Sequence, residues 1–125
     1  MRRSPFLILT ASAVLALSAC GSGGGDEFCS VLTDDSATAA TAFAPLIPGM
    51  NSAADAQSRL DLVTSAEEHV PEDLKSDFFT WKGYLETAAQ TLDSDPNAVL
   101  AKGSSPEVSA AGESLADFYT GTCLG

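Results

Sequence analysis

Apolar residues between positions 26 and 123 recur three and four residues apart, which is the spacing of one face of an α-helix. Four segments carry this pattern, and proline, glycine or capping residues bound them: 26–44, 52–70, 71–92 and 105–123. No stretch alternates apolar and polar residues between hairpin turns, so no sheet is expected. Because short loops join the segments, the sequence predicts an all-α domain with the up-down topology of a four-helix bundle.

Local signals mark the ends of these predicted helices. Ser52 and Asp55 have the spacing of a capping box, with Asp in place of the usual Glu. Ser105, followed by a proline, is typical of an N-cap and a first helical residue. Pro71 is expected to end the second helix and to open the third. Residues 96–101 are expected to form only a short extra turn.

The third segment has the most regular apolar pattern. Its seam has a spacing of alternating four and three residues: Leu74, Phe78, Trp81, Leu85, Ala88 and Leu92. Phe79 falls outside this seam, beside Lys82 and Gly83. Two interpretations of Phe79 remain open: a wide apolar stripe buries the ring, or the ring is a docking spot for a partner at the surface.

The beginning of the chain has the pattern of an export signal. A basic start at residues 1–3 precedes an almost wholly apolar run over residues 6–17. Crossing a bilayer needs about 20 apolar residues, whereas a signal-peptide core needs only about 7–15. The run ends in Leu17-Ser18-Ala19-Cys20 with Gly21 after it. These residues resemble the lipobox of bacterial lipoproteins.

The resemblance implies that the chain is cut before Cys20 and that the thiol of Cys20 receives a diacylglyceryl group. Residues 1–19 would then be a cleaved signal peptide, residues 20–27 a lipidated cysteine with a Gly-rich tether, and residues 28–125 the helical domain. Two or more acyl chains anchor a protein stably, so the domain is expected on the extracytoplasmic face of the cell membrane. The alternative is an ordinary secretory signal that contains a cysteine by chance.

The chain has three cysteines, an odd number that needs an explanation in an exported protein. Lipidation of Cys20 leaves Cys29 and Cys123 as a pair in an oxidising compartment, which predicts a disulfide. The bundle topology would place both cysteines at one pole, which the tether holds toward the membrane. The alternatives are two free thiols or a metal pair. Zinc sites usually have four ligands, however, and His69 is the only histidine.

The remaining chemistry-bearing residues do not form a recognisable catalytic site. Asp93, Asp95 and Asn97 match the opening of a calcium loop, but its turn glycine and bidentate glutamate are missing, so a helix C-terminus with Asx turns is expected there. His69 and Glu72 lie near an acidic corner but on opposite sides of a helix break. We therefore expect no enzyme activity, no catalytic residue, no metal and no cofactor.

The net charge of the chain limits the kinds of partner it can bind, and several of its features resemble one group of proteins. Without residues 1–19 the chain has 4 Lys/Arg against 17 Asp/Glu, a side-chain balance of −13, which disfavours nucleic acid as a partner. Four features resemble uncharacterised small helical lipoproteins of actinobacteria: the lipobox, Phe28-Cys29 after the tether, Val70-Pro71-Glu72-Asp73-Leu74 at the opening of a helix, and a cysteine near the end.

That resemblance implies location and fold but no activity. The first hypothesis is a non-catalytic interaction or accessory module that binds an unknown protein. The second is a carrier of a small apolar or lipidic ligand inside the bundle, because the many alanines of the first two helices could leave room there.

Overall fold

The structure is a computed structural model that describes residues 25–125. The predicted signal peptide and Cys20 lie outside the described residues. Within residues 25–125 there are six α-helices and no strand: α1 (Gly25–Asp34), α2 (Ser36–Ala42), α3 (Ala53–Ala66), α4 (Lys75–Thr91), α5 (Pro96–Gly103) and α6 (Pro106–Phe118). Two 3-10 turns, Glu67–His69 and Glu72–Leu74, precede α4, and a π-helical turn, Tyr119–Cys123, continues α6. The all-α prediction is confirmed.

The first predicted helix, 26–44, is two helices that meet at Asp35. The carboxylate of Asp35 accepts a hydrogen bond from the backbone N–H of Thr38 (3.4 Å), so this side chain caps a new helix instead of continuing the old one. The start of α1 at Gly25 also means that the last residues of the predicted tether, 20–27, are helical.

The predicted short turn at residues 96–101 is a full helix. The Asp95 carboxylate accepts a hydrogen bond from the backbone N–H of Ala98, and Pro96 occupies the first turn of α5. The prediction that Pro71 opens an α-helix is wrong, because Pro71 is the N-cap of a 3-10 turn. Six α-helices in the described chain therefore replace the four that were predicted.

The two predicted caps at Ser52 and Ser105 are confirmed. Ser52 and Asp55 form a reciprocal capping box: the Asp55 N–H donates to Ser52 Oγ (3.2 Å), and the Ser52 N–H donates to Asp55 Oδ2 (2.8 Å). Ser105 Oγ accepts a hydrogen bond from the N–H of Val108 at the start of α6. These bonds satisfy backbone donors that no helical carbonyl reaches.

Helix α4 lies at the centre of the domain, where it packs against α3, α5 and α6. The predicted seam is buried from Phe78 to Leu92, and only Leu74 at its start is partly exposed. At the end of the domain where α4 begins, the ring of Phe28 packs against the rings of Phe78 and Phe118, with centroids 6.0 and 5.8 Å apart. Tyr84 is also buried on α4, although it lies outside the predicted seam.

Trp81 joins three helices through one side chain. It is 1% exposed, and its Nε1–H donates to the carbonyl oxygen of Ala42 at the end of α2 (2.8 Å). The opposite side of the ring packs on Gly112 of α6, where an added Cβ would lie 2.7 Å from Trp81 Cζ3. Glycine at position 112 therefore sets how closely α4 and α6 approach.

Two glycines within helices give a matched test of this contact. Alanine normally stabilises a helix by about 1 kcal/mol relative to glycine. We expect that gain for Gly83→Ala, because an added Cβ at Gly83 meets nothing within 4 Å. We expect Gly112→Ala to destabilise instead, by about 1–3 kcal/mol, because the methyl group displaces the Trp81 ring. Urea unfolding of both variants measures the difference, and equal effects at the two positions would contradict it.

A disulfide closes the domain at one pole. Cys29 in α1 is bonded to Cys123 in the π-helical turn, with their Cα atoms 5.0 Å apart, which confirms the predicted pairing. Glu27 Oε2 lies 2.8 Å from His69 Nδ1, so the segment after α3 reaches the same pole. None of the helices within residues 25–125 has the length and apolar character needed to cross a membrane.

Candidate functional site

An open groove with a largely apolar lining runs between α2 and α6. It consists of two depressions that share Phe43 and Ala116. The Trp81 depression, about 260 Å³, is lined by Phe43, Pro45, Trp81, Gly103, Ser109, Gly112, Glu113 and Ala116. The Leu124 depression, about 280 Å³, is lined by Ala40, Phe43, Ala44, Ala116, Tyr119, Thr120 and Leu124. We call the two together the α2–α6 groove.

Small side chains on both helices create the groove. The sequence of α2 is SATAATA, so the side chains on its side of the groove, such as Ala40, are small. On α6, Gly112 and Ala116 lie one turn apart: the Trp81 ring lies against Gly112, and the single methyl group of Ala116 leaves open space beside it. Phe43 and the edge of Trp81 fill the bottom of this space with aromatic carbon. The groove therefore has an apolar floor and low walls.

Two hydrogen bonds hold the chain after α2 in place and so fix one wall of the groove. The Tyr84 hydroxyl oxygen accepts a bond from the N–H of Leu46 (2.9 Å), and Arg59 Nη1 donates to the carbonyl oxygen of Ala44 (3.0 Å). Burial raises the pKa of the Tyr84 phenol and lowers the pKa of the Arg59 guanidinium. The phenol is therefore neutral at pH 7, and the fixed segment contributes Pro45 to the groove.

The rim of the groove on α6 is acidic. Glu113 lines the Trp81 depression, Asp117 lies one turn further along α6, and both side chains are exposed. Neither takes part in the ion pairs found among residues 25–125. Lys75 and Lys82 pair with glutamates elsewhere, and Lys102 donates to a threonine hydroxyl on α4. Glu113 and Asp117 therefore give this side of the groove a net negative charge.

Phe79, the candidate partner contact from the sequence, is a surface residue outside the α2–α6 groove. Its side chain is 51% exposed, and its ring packs edge-on against Phe78 with centroids 5.5 Å apart. The exposure leaves the ring accessible to a partner. Whether a partner binds there stays a prediction.

The other polar candidates are occupied by structural contacts. His69 pairs with Glu27, whereas Glu72 pairs with Lys75 (2.7 Å), so the acidic corner does not join His69 to Glu72. Asp93 of the calcium-like segment accepts a hydrogen bond from the N–H of Ala53 (3.0 Å). Asp95 caps α5, as described above. Within residues 25–125 no group of three or more His, Cys, Asp or Glu side chains is placed to hold a metal ion.

Comparison with protein-family models, curated proteins and solved structures finds no match to this chain. One signal in the sequence could have pointed to the groove, namely the small residues of α2 and of α6. That pattern alone does not tell whether two helices pack tightly or stand apart.

Proposed function

We propose that this protein is a non-catalytic interaction module that a lipid on Cys20 holds at the outer face of the cell membrane, and that the α2–α6 groove is its contact surface. The observation that carries the proposal is an open groove with an apolar lining, in which half-buried Ala116 and exposed Leu124 lie beside the buried rings of Phe43 and Trp81. Covering such a surface stabilises a complex by roughly 25 cal/mol per Å² of apolar area.

The proposed arrangement is a four-helix bundle in which α1 with α2, α3, α4 and α6 are the four legs. The Cys29–Cys123 bridge then marks the pole that faces the membrane. Only residues 21–24 separate Cys20 from α1, and the five Cα–Cα steps from Cys20 to Gly25 span at most about 18 Å. A partner must therefore lie at or near the membrane surface.

The packing of Trp81 favours a surface site over a ligand inside the bundle, which is the alternative function. Trp81 and Gly112 are in such close contact that even one extra methyl group does not fit between them. The side chains that meet at the centre of the domain, including Phe78, Trp81 and Leu85, are at most 1% exposed. A lipidic ligand is therefore tested below as an occupant of the groove.

Membrane attachment has a direct test at Cys20. We expect Cys20→Ser to move the protein from the membrane fraction to the soluble extracytoplasmic fraction, because serine does not accept the thioether-linked lipid. Cell fractionation with detection of the protein measures this. A Gly83→Ala variant is the control, because it leaves Cys20 and the Cys29–Cys123 bridge unchanged and an added Cβ at Gly83 meets nothing within 4 Å. Retention of the Cys20→Ser protein on membranes would show that another anchor holds it.

The contact surface is tested by cross-linking on intact cell envelopes. A photo-reactive residue at Ala116, in the centre of the groove, is expected to form a specific protein adduct. The same residue at Ala54, an exposed position of α3 that lines neither depression, should form none. Competition by added unlabelled protein should remove the adduct, and an Ala116→Arg competitor should fail to do so. Equal adducts at both positions would argue against the groove as the contact surface.

A further inference from the structure

We propose that the partner of the α2–α6 groove presents a basic amphipathic helix, with two apolar anchors about two turns apart and a Lys or Arg beside them. This inference rests on the proposed function, since it specifies the chemistry of the partner at the same groove. Three properties of the groove carry it: the spacing of its depressions, their size and the charge of the rim.

The spacing of the two depressions matches that of side chains on one face of a helix. Gly112 lines the Trp81 depression, and Tyr119 lines the Leu124 depression. Seven residues separate them along α6, which corresponds to about 10 Å of helix axis. Side chains at positions i and i+7 of a partner helix are the same distance apart. A helix lying along the groove therefore places one anchor in each depression.

The size of the depressions fits single large apolar side chains. Their volumes are about 260 and 280 Å³, and they are open to solvent on one side. For comparison, an apolar cavity of about 150 Å³ holds one benzene molecule. Each depression therefore accepts the end of a Leu, Met or Phe side chain. The shared residues Phe43 and Ala116 form a low ridge between the two anchors.

The negative charge of the rim indicates which polar side chains the partner carries beside its apolar anchors. Glu113 and Asp117 lie one turn apart on the exposed side of α6, next to Ala116. The domain also carries a large acidic excess, which repels an acidic helix and attracts a basic one. A neutral acyl chain would use the apolar floor but neither carboxylate. The charge therefore favours a basic peptide over a lipid.

Two synthetic helical peptides of about 18 residues, with identical leucines at i and i+7, test this inference. One carries lysines beside the leucines and the other carries glutamates. The target is the full chain with Cys20→Ser, and isotope-labelled NMR maps the binding site. We expect the lysine peptide to shift the amide signals of Phe43, Ala116 and Tyr119. The glutamate peptide should bind at least about tenfold more weakly.

Variants separate the apolar from the charged contribution. Ala116→Gln should weaken the lysine peptide by at least about tenfold, because a larger, uncharged side chain fills the centre of the groove. Glu113→Gln should weaken it by about two- to fivefold, as expected for one exposed ion pair. Glu107→Gln is the matched control, since Glu107 is exposed on α6 but lines neither depression, and should have no effect. Added salt should weaken binding of the lysine peptide.

Each contrary outcome has a defined meaning. Equal binding of the two peptides, no binding of either, or signal shifts away from the groove would overturn the inference. Binding of decanoate in the groove without binding of the lysine peptide would replace the helix with an acyl ligand. If a protein adduct forms through position 116 but the lysine peptide does not bind, the proposed function stands and the inference fails. If both are absent, both fail.

Discussion

Removing the Cys29–Cys123 bridge will lower the free energy of unfolding by about 4.7 kcal/mol. The two cysteines are separated by 94 positions, and in the chain-entropy model the closure of so long a loop strongly restricts the unfolded chain. That loss is comparable to the whole stability of many domains of this size, which is about 5–15 kcal/mol. The urea midpoint should therefore fall strongly without the bond.

Urea unfolding of the Cys29→Ala, Cys123→Ala double variant measures this loss. Reduction of the unchanged protein should give nearly the same midpoint, because both treatments open the same loop. Cys20→Ser is the control and should leave the midpoint unchanged, since Cys20 lies outside the bridge. A loss below about 1 kcal/mol would mean that the helices alone determine the fold and that the entropic account is wrong here.

Trp81→Ala will have the second largest effect, a loss of about 3–5 kcal/mol. The substitution leaves a cavity between α2, α4 and α6, because the ring packs on Gly112 and is 1% exposed. It also leaves the buried carbonyl oxygen of Ala42 without its donor. An unpaired buried acceptor adds to the cost, and this places the expected loss in the upper part of the range.

Two further substitutions on α4 show which part of the Trp81→Ala loss comes from the hydrogen bond and whether an exposed ring matters as much as a buried one. Trp81→Phe keeps an aromatic ring but removes the indole N–H, so its smaller loss reports mainly on the bond to Ala42. Phe79→Ala removes an aromatic ring that is 51% exposed, and we expect a change of about 0.5 kcal/mol or less. Chemical unfolding of all three variants provides the comparison. A large loss for Phe79→Ala would give that ring a structural role and end its candidacy as a docking spot.

The apolar periodicity was sufficient to predict an all-α domain and most of its buried faces. The seam from Phe78 to Leu92 is buried as predicted, because a repeat of three and four residues determines which side of a helix meets its neighbours. The disulfide also followed from the sequence, because removing Cys20 from the count left only one pair. Capping at Ser52 and Ser105 was also predictable, because a cap depends only on residues close in the chain.

Other features depend on contacts that are distant in the sequence. The apolar pattern runs through Asp35, so it did not reveal that this side chain caps a second helix. Tyr84 is buried because its hydroxyl bonds to Leu46, a residue 38 positions away. The groove arises from the distance between α2 and α6, and that distance is set by Trp81 reaching Ala42 from α4. The apolar pattern of one helix contains no information about such a distance.

The position of the disulfide also determines how the domain would bear mechanical tension. With the proposed lipid anchor on Cys20, a pull on the anchor would load the chain at Gly25, and four residues later the bridge would transfer that load to Cys123. A partner held on α6 would pull on the same cysteine through the π-helical turn. The shortest covalent path between anchor and partner therefore avoids α2, α3, α4 and α5. The backbones of those four helices, with the Trp81–Ala42 bond among them, would carry little of a force applied to α6, and the two ends of the chain would carry most of it.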